Sequence, residues 1–395
     1  MAQHAQPARG MRDIVPPEGE LRRQVANRIL DVYAAYGYEV IETPALEDLD
    51  VLVGSQGGEN EKLIFKVLKR GAKLDEELGR GGELADMGLR FDLTVPLVRF
   101  VANHLNDLPM PFKVAHLAPV WRAERPQRGR FREFTQCDID IVGEASIAAE
   151  IELCTATIEA LQQIGIDGCT VRLNDRRLLL AAMEHHLGPL GQPGPVYIAL
   201  DKLDKTSSDD VAAELARAGH DVTAVGRLLG SFAKAELIGP PEFQEALEGT
   251  RRALEGQGIS VRFDPTLVRG MGYYTGQIFE VSHPDLPYSL AGGGRYDGMM
   301  ARFGAPALPM CGFSIGFERV CELVDKNAFA AARAKIAVTC SDDEELLRCL
   351  VLGRAKRDRG TVVNVVRRAR NVRKQRDDLE KLGYSEVIDG ETFGS

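Results

Sequence analysis

Residues 121–143 read WRAERPQRGRFREFTQCDIDIVG, and the second half of this stretch predicts a β-strand. In FREFTQCDIDIVG apolar and polar residues alternate, which is typical of a strand with one buried face and one polar face. The polar face is expected to carry Glu133, Gln136, Asp138 and Asp140. A strand face with this many carboxyl and amide groups predicts a lined surface or a pocket.

The first half of the same stretch is rich in arginine. A guanidinium group is always charged, and its planar fork matches the oxygens of a phosphate or a carboxylate. A solvated loop laced with salt bridges is the alternative explanation for such a run, but the carboxylate-bearing strand that follows favours an anion-binding site. The arginines are Arg122, Arg125, Arg128, Arg130 and Arg132.

The chain on either side of this stretch predicts an α+β fold. Apolar residues at helical spacing predict helices at 20–36 and 145–166, and alternation predicts further strands at 111–122 and from residue 261 onward. Residues 171–255 are interpreted as a mostly helical insertion. Strands with long helical excursions and no repeated β-α-β period favour a mixed, mainly antiparallel sheet.

The last sixty residues have a different pattern. After a linker at 324–334, residues 335–395 read as β-α-β-α-β, a small α/β module, so that residues 1–323 are expected to form the first domain. The window 354–376, interpreted as helical, holds ten Lys or Arg and one Asp, whereas the whole chain has a net charge of −9. This segregated charge predicts contact with RNA phosphates, and a solvated helix face is the alternative.

Composition and motifs exclude several classes of protein. With 44% hydrophobic and 27% charged residues among 395, the chain is an ordinary globular protein and neither disordered nor fibrous. No apolar run reaches the roughly 18 residues that span a bilayer, and the N-terminus lacks the apolar core of a secretory signal, so a cytoplasmic protein is expected. The seven cysteines have no C-x-x-C spacing and predict reduced thiols and no metal site. The glycine strings at 79–83 and 291–298 lack the spacing of phosphate-binding or dinucleotide-binding loops.

Motifs in order along the chain resemble those of the histidyl-tRNA synthetase family, a class II aminoacyl-tRNA synthetase family. RGMRDIVPPE at 9–18 and TPALE at 43–47 resemble the motif 1 region, while LRFDLTVPLVRFVA at 89–102 leads to residues 121–143, which resemble motif 2 and its strand. LVRGMGYYTG and AGGGRYDG resemble the two histidine-specific signatures, and GFSIGFERV resembles motif 3. The resemblance implies a class II catalytic domain over residues 1–323 and an anticodon-binding-like domain at 335–395.

The resemblance also implies histidine, ATP and Mg²⁺ as substrates and cofactor, with roles that are assigned residue by residue. The catalytic cations at the α-phosphate would be Arg269 and Arg122. The ATP-binding residues would be Arg122, Glu124, Arg130 and Arg319, with Arg319 on the γ-phosphate side. The histidine-binding residues would be Asp92, Thr94 and Gln136 at the α-ammonium, Asp140 and Tyr274 at the imidazole, and Tyr273.

The partners implied by the resemblance are tRNA(His) and a second copy of the chain, which would form a homodimer through the helix at 20–36 and the Pro44 region. Gly272 replaces a residue that is usually acidic in the family, and the C-terminal module is expected to be a shortened anticodon-binding domain. Two alternatives therefore stay open: a paralogue that passes activated histidine to another acceptor, and a histidine-sensing regulatory subunit of ATP phosphoribosyltransferase. The retained Arg122, Arg269 and Arg319 weigh against the regulator.

Overall fold

The computed structural model describes residues 5–53, 60–125, 131–204, 206–269, 272–330 and 334–393. The chain divides into two compact units. The larger unit comprises Met1–Arg12 and Arg28–Glu322, and the smaller comprises Asp13–Asn27 and Leu323–Ser395. In the part of the chain that is described, no helix combines the length and the apolar character needed to cross a membrane.

The larger unit contains an eight-stranded mixed sheet. Its strands are β1 Glu39–Val40, β5 Phe112–Trp121, β6 Glu133–Val142, β7 Thr170–Asp175, β8 Ser260–Phe263, β9 Gln277–Ser282, β10 Ala291–Arg295 and β11 Met310–Ile315. They lie in the order β1-β5-β6-β11-β10-β9-β7-β8, antiparallel except for the pairs β1-β5 and β7-β8. A smaller antiparallel sheet has the order β2-β4-β3, with β2 Leu46–Asp48, β3 Lys66–Leu68 and β4 Ala85–Leu89. The predicted mixed α+β fold is confirmed.

Of the helices before the second half of the sheet, the first and the last agree with those predicted at 20–36 and 145–166. They are α1 Glu18–Ala35, α2 Leu49–Val53, α3 Ala72–Arg80, α4 Thr94–His104 and α5 Ala148–Gln163. On α1 the apolar residues Val25, Ile29 and Tyr33 are fully buried within the chain. These side chains are covered within the chain itself, so they do not by themselves require a partner subunit.

The stretch at 171–255 begins as part of the sheet. Residues 171–175 belong to β7, which lies between β8 and β9, so the helical part starts at Arg176. Its helices are α6 Arg176–Leu187, α7 Gly194–Leu200, α8 Ser208–Arg217, α9 Val222–Ala233 and α10 Pro241–Glu255. Asp175 ends the strand and caps α6, since its side chain accepts a hydrogen bond from the backbone N–H of Arg177 at 2.8 Å. The chain then returns to the sheet, and α11 Phe317–Leu323 and α12 Lys326–Ala330 follow the last strand.

Packing on the two faces of the large sheet differs. Helix α5 packs against β6, β10 and β11, and Ile139 and Ile141 of β6 are buried. Because side chains alternate along a strand, Asp138 and Asp140 point to the opposite face. This alternation aims the polar residues of β6 away from the apolar layer.

The C-terminal part of the smaller unit has the predicted β-α-β-α-β order. Its strands are parallel in the order β13-β12-β14, and its elements are β12 Lys335–Cys340, α13 Asp343–Arg357, β13 Val362–Arg367, α14 Val372–Lys381 and β14 Glu386–Asp389. The basic window 354–376 is not one helix, and that prediction was wrong. It spans the last turn of α13, all of β13 and the first turn of α14, because the β-branched run in TVVNVV pairs with β12.

Candidate active site

A cavity of about 390 Å³ opens in the larger unit over β6, β10 and β11. Most of the predicted site residues line it, although they come from segments as far apart in sequence as Thr94 and Arg319. Asp92 is buried but is not among the lining residues. Arg130 lies outside the described residues. The predicted residues that line the cavity are Thr94, Arg122, Glu124, Gln136, Asp140, Arg269, Tyr273, Tyr274 and Arg319.

Strand β6 supplies the polar floor of the cavity. Gln136, Asp138 and Asp140 all line it, and the two aspartates are only 5% exposed. The face predicted as polar is therefore the floor of a pocket and not a solvated surface. Glu133 was wrongly placed on this face, since it lies an odd number of positions before the others along the strand and its side chain is exposed.

Two glycines of the neighbouring strands make room for charged side chains on this floor. A Cβ atom at Gly312 of β11 would overlap Oδ1 of Asp140, and one at Gly292 of β10 would overlap the guanidinium group of Arg269. Asp140 and Arg269 therefore lie flat against the sheet. Any larger residue at either glycine would displace a side chain of the site.

Arg269 is held from its backbone and from its side chain. Its backbone has a left-handed φ of 56°, rare for a residue other than glycine. The preceding carbonyls are fixed by β7 and α6: Asn174 Nδ2 donates to Leu267 O at 2.8 Å and Arg176 Nη1 donates to Val268 O at 3.0 Å. The Arg269 guanidinium donates to Glu280 Oε1 at 2.6 Å. Burial lowers the pKa of Arg269, but Tyr274 and Glu280 raise it by more, so the cation is retained.

Arg122 and Arg319 are anchored mainly through backbone carbonyls and aromatic rings. Arg122 Nε donates to Phe91 O at 2.9 Å, and its guanidinium carbon lies 5.0 Å from the centre of the Phe134 ring. Arg319 Nη1 donates to Ser289 O at 2.6 Å, and its guanidinium carbon lies 4.9 Å from the centre of the Tyr288 ring. Three cations with fixed positions thus surround one cavity.

Besides the three arginines, the site contains three buried carboxyl groups. Burial raises the pKa of Asp92 to about 6 and that of Asp140 to about 7. Burial and the nearby Asp140 also raise the pKa of Asp138. Asp92 Oδ1 accepts a hydrogen bond from the backbone N–H of Val95 at 3.1 Å, while its buried Oδ2 has no partner within the described chain. Carboxyl groups that are costly to ionise together favour a ligand that brings positive charge or N–H donors.

Several residues of the site escaped the sequence reasoning. The Tyr296 hydroxyl donates to Asp140 Oδ1, and the Tyr296 ring lies 5.8 Å from the Tyr273 ring, centre to centre. Glu318 accepts hydrogen bonds from the backbone N–H of Thr135 at 3.0 Å and from Arg12 at 2.6 Å. Tyr296 and Glu318 lie inside the motifs AGGGRYDG and GFSIGFERV, but the sequence did not indicate a role for either residue. Arg12, in RGMRD, belongs to the same group because it donates a hydrogen bond to Glu318.

Comparisons with known proteins agree on one family. The histidyl-tRNA synthetase family description matches residues 10–320. A histidine--tRNA ligase from Leifsonia xyli subsp. xyli is 42% identical, with 97% of this chain and 95% of that protein covered. The crystal structure of histidyl-tRNA synthetase from Nostoc sp. PCC 7120 is similar with a TM-score of 0.77 and 25% identity, over 97% of this chain and 90% of that one.

A further solved structure is similar in fold alone. It is the ATP phosphoribosyltransferase regulatory subunit/histidyl-tRNA synthetase from Bacillus halodurans, with a TM-score of 0.80 and 23% identity over 98% of this chain and 99% of that one. At this identity the likeness concerns the arrangement of strands and helices and carries no statement about activity.

Proposed function

The chain belongs to the histidyl-tRNA synthetase family, and from this premise we propose that it activates histidine with ATP and transfers the histidyl group to tRNA(His). The observation that carries the proposal is a single cavity that joins three arginines to a floor of amide and carboxyl groups. The arginines suit a polyphosphate, and the floor suits an amino acid with an ammonium group and an imidazole. A regulator that only senses histidine has no need of the arginines.

In the first step, a carboxylate oxygen of histidine attacks the α-phosphorus of ATP. The bond from this phosphorus to the bridging oxygen breaks, and pyrophosphate leaves with the electron pair. Negative charge develops on the oxygens around the phosphorus, where fixed guanidinium groups in a partly dry site are most effective. We assign this role to Arg122 and Arg269, and we assign the γ-phosphate side to Arg319. A ribose hydroxyl at the tRNA 3′ end then attacks the acyl carbon, and AMP leaves.

Recognition of histidine is assigned to the carboxyl and amide side of the cavity. Asp92, Thr94 and Gln136 are proposed to accept hydrogen bonds from the α-ammonium group. Asp140 is proposed to accept the imidazole N–H, with Tyr273 and Tyr274 beside the ring. A site built in this way rejects apolar amino acids, because they would leave a buried carboxylate without a partner.

Mg²⁺ is proposed as the divalent cation that accompanies ATP. Within the described ranges, no group of three or more His, Cys, Asp or Glu side chains could hold a metal ion unaided. Such a chain fits a cation that arrives on the phosphate oxygens and keeps part of its water shell. Glu124, which lines the cavity, is the carboxylate proposed to meet it.

We also propose a homodimer through the Pro44 region alone. Strand β1 is an edge strand of the large sheet, and Val40 on it is 60% exposed. Leu46, on the other side of Pro44, is 40% exposed. Exposed apolar residues at a sheet edge suit a partner that covers them. Light scattering should give the mass of a dimer at micromolar concentration, and Val40→Lys should shift the protein toward the monomer, whereas a wild-type monomer would refute the proposal.

Pyrophosphate exchange tests the main proposal. Purified protein should incorporate labelled pyrophosphate into ATP only when histidine is present, and should then charge tRNA(His). Exchange without charging of any tRNA would identify a paralogue with another acceptor. Histidine binding without exchange would identify a regulator. We propose a cytoplasmic location, because charging requires tRNA and ATP.

A further inference from the structure

The cavity face of β6 presents three polar side chains in a row, and the middle one has no role in the scheme above. Gln136, Asp138 and Asp140 are spaced two residues apart, so they are about 7 Å from one another along the strand. The outer two are assigned to the α-ammonium and the imidazole of histidine. Asp138 lies between them and is buried, which is costly for a carboxyl group without a function.

Asp138 contacts the Gln136 side chain directly. Gln136 Nε2 donates to Asp138 Oδ2 at 3.2 Å. Gln136 Oε1 is buried and has no partner within the described chain. The amide of glutamine can be turned so that either its NH₂ or its oxygen faces a neighbour. A carboxylate can only accept, so it selects the NH₂ and leaves the oxygen for another donor.

We propose that Asp138 is a positioning residue for amino acid recognition, which orients the Gln136 amide so that Oε1 accepts a hydrogen bond from the α-ammonium group of the substrate. This inference rests on the proposed function and adds Asp138 to the residues that determine which amino acid is bound. With the amide turned the other way, the NH₂ would point at a cation and the hydrogen bond would be replaced by repulsion.

The surroundings of Asp138 are consistent with this role. On β11 its paired residue is Ser314, which also lines the cavity, and on β5 it is His116, which is buried. Burial raises the pKa of Asp138, whereas burial lowers the pKa of His116 to about 4, which keeps that imidazole neutral. A bound ammonium group would therefore supply positive charge that this neighbour does not, and would favour the ionised, accepting form of Asp138.

The test compares two ligands that differ only in the ammonium group. Histidine and 3-(imidazol-4-yl)propionate share the ring and the carboxylate, and their binding to wild type and to Asp138→Asn can be measured by calorimetry. Either end of the asparagine amide can face Gln136, so the orientation is no longer selected. We expect the Kd for histidine to rise about tenfold to a hundredfold, and the Kd for the propionate to change less than about threefold. Equal weakening of both ligands, or no weakening, overturns the inference.

A second variant keeps the inference testable if Asp138→Asn folds poorly. Gln136→Met removes the accepting oxygen, so it should also weaken the binding of histidine and leave the binding of the propionate nearly unchanged. In the Gln136→Met background, Asp138→Asn should have no further effect on histidine, because the two residues act as one unit. If Gln136→Met weakens both ligands alike, or if the two substitutions are additive, Asp138 does not act through Gln136.

Steady-state kinetics and a matched control separate positioning from a structural role. In pyrophosphate exchange, Asp138→Asn should raise KM for histidine and leave KM for ATP and kcat within about threefold. Asp175→Asn is the control, because it removes another buried carboxylate, the one that caps α6. It should lower the melting temperature without changing the ratio of the Kd for histidine to the Kd for the propionate. If wild type exchanges pyrophosphate but Asp138→Asn leaves the ratio of the two Kd values unchanged, only this inference fails. If wild type does not exchange, the proposed function fails.

Discussion

The chain carries two groups of cations, and they differ in how they are held. In the cavity, Arg122, Arg269 and Arg319 each donate to a named carbonyl or carboxylate oxygen. In the smaller unit, Arg370 and Arg373 are exposed, in the loop before α14 and in its first turn. The guanidinium group is the same in both places, and only its surroundings differ.

This difference decides what each group can do. A fixed cation in a partly dry site acts on one atom of a substrate, and water and salt screen it little. Exposed cations act together on an extended anion, and at physiological salt their attraction is largely screened beyond about 8 to 10 Å. The first group should therefore govern chemistry, and the second should govern salt-sensitive association.

The largest effect on activity is expected at Arg269, which gives the strongest test of the difference between fixed and exposed cations. Arg269→Ala should lower the rate of pyrophosphate exchange by about a hundredfold to a thousandfold, because it removes a cation that acts on the transition state. Histidine binding, measured by calorimetry, should largely persist. Arg251→Ala is a suitable control, since Arg251 is paired with Glu248 and Glu255 on α10. Equal losses of binding and rate would show that Arg269 acts on substrate docking.

Asp140 should affect stability and binding in opposite directions. Burial raises its pKa from 3.8 to about 7, so the folded empty protein binds this proton more tightly than the unfolded chain does. The contribution of Asp140 to stability therefore rises as the pH falls from about 7 toward 4. Asp140→Asn should stabilise the empty protein by about 1 to 3 kcal/mol at pH 8 and by much less near pH 4.

Urea unfolding at the two pH values measures this change in stability. The same variant should bind histidine about tenfold more weakly, since it replaces an anion by a neutral amide at the imidazole. A variant that is less stable than wild type at pH 8 would mean that Asp140 is already compensated in the empty site.

Glu280 tests whether a fixed position is what makes the cavity cations effective. Glu280 bridges Arg269, at 2.6 Å, and Arg172, at 3.3 Å, and Arg172 also contacts Asp264 at 2.8 Å. Glu280→Gln keeps one acceptor but loses the charge, so exchange should fall about tenfold with KM for histidine nearly unchanged. Wild-type kcat in this variant would show that the backbone of Arg269 suffices to position it.

The smallest effect is expected in the exposed group. Replacing Arg370, Arg373 and Lys374 together by Ala should weaken tRNA binding several-fold at physiological salt. The slope of log affinity against log salt concentration should become shallower by up to about 0.9 for each phosphate that is no longer neutralised. Pyrophosphate exchange should not change. Arg368→Ala is a useful contrast because Arg368 is paired with Asp389. An unchanged salt dependence in the triple variant would assign tRNA binding to another surface.

The sequence predicted those features that depend on short-range pattern. The strands at 112–121 and 133–142 follow from alternation, and the C-terminal β-α-β-α-β order follows from helical and β-branched runs separated by turns. Arg122, Arg269 and Arg319 followed from the family motifs. Each of these required only local sequence or a motif held in order.

Features that depend on long-range pairing were missed or misplaced. Residues 171–175 lie in the sheet because β8 and β9 flank them, which nothing in their own sequence states. Alternation placed Asp138 on a polar face but could not show that this face is the floor of a cavity. The role of Glu280 depends on Arg269, eleven residues away along the chain, and becomes visible only when the Arg269 side chain lies against the sheet that contains Glu280.

The glycines of β10 have a further consequence, which concerns the folding of the site. Three consecutive glycines, Gly292–Gly294, lose more backbone entropy on ordering than any other residues would, and they contribute no side chains to packing. Strand β10 therefore owes its order to the ladders with β9 and β11 on its two sides. The part of the cavity floor that β10 forms therefore depends on the pairing of residues between 277 and 315, so that a substitution that weakens β9 or β11 should also disorder the site.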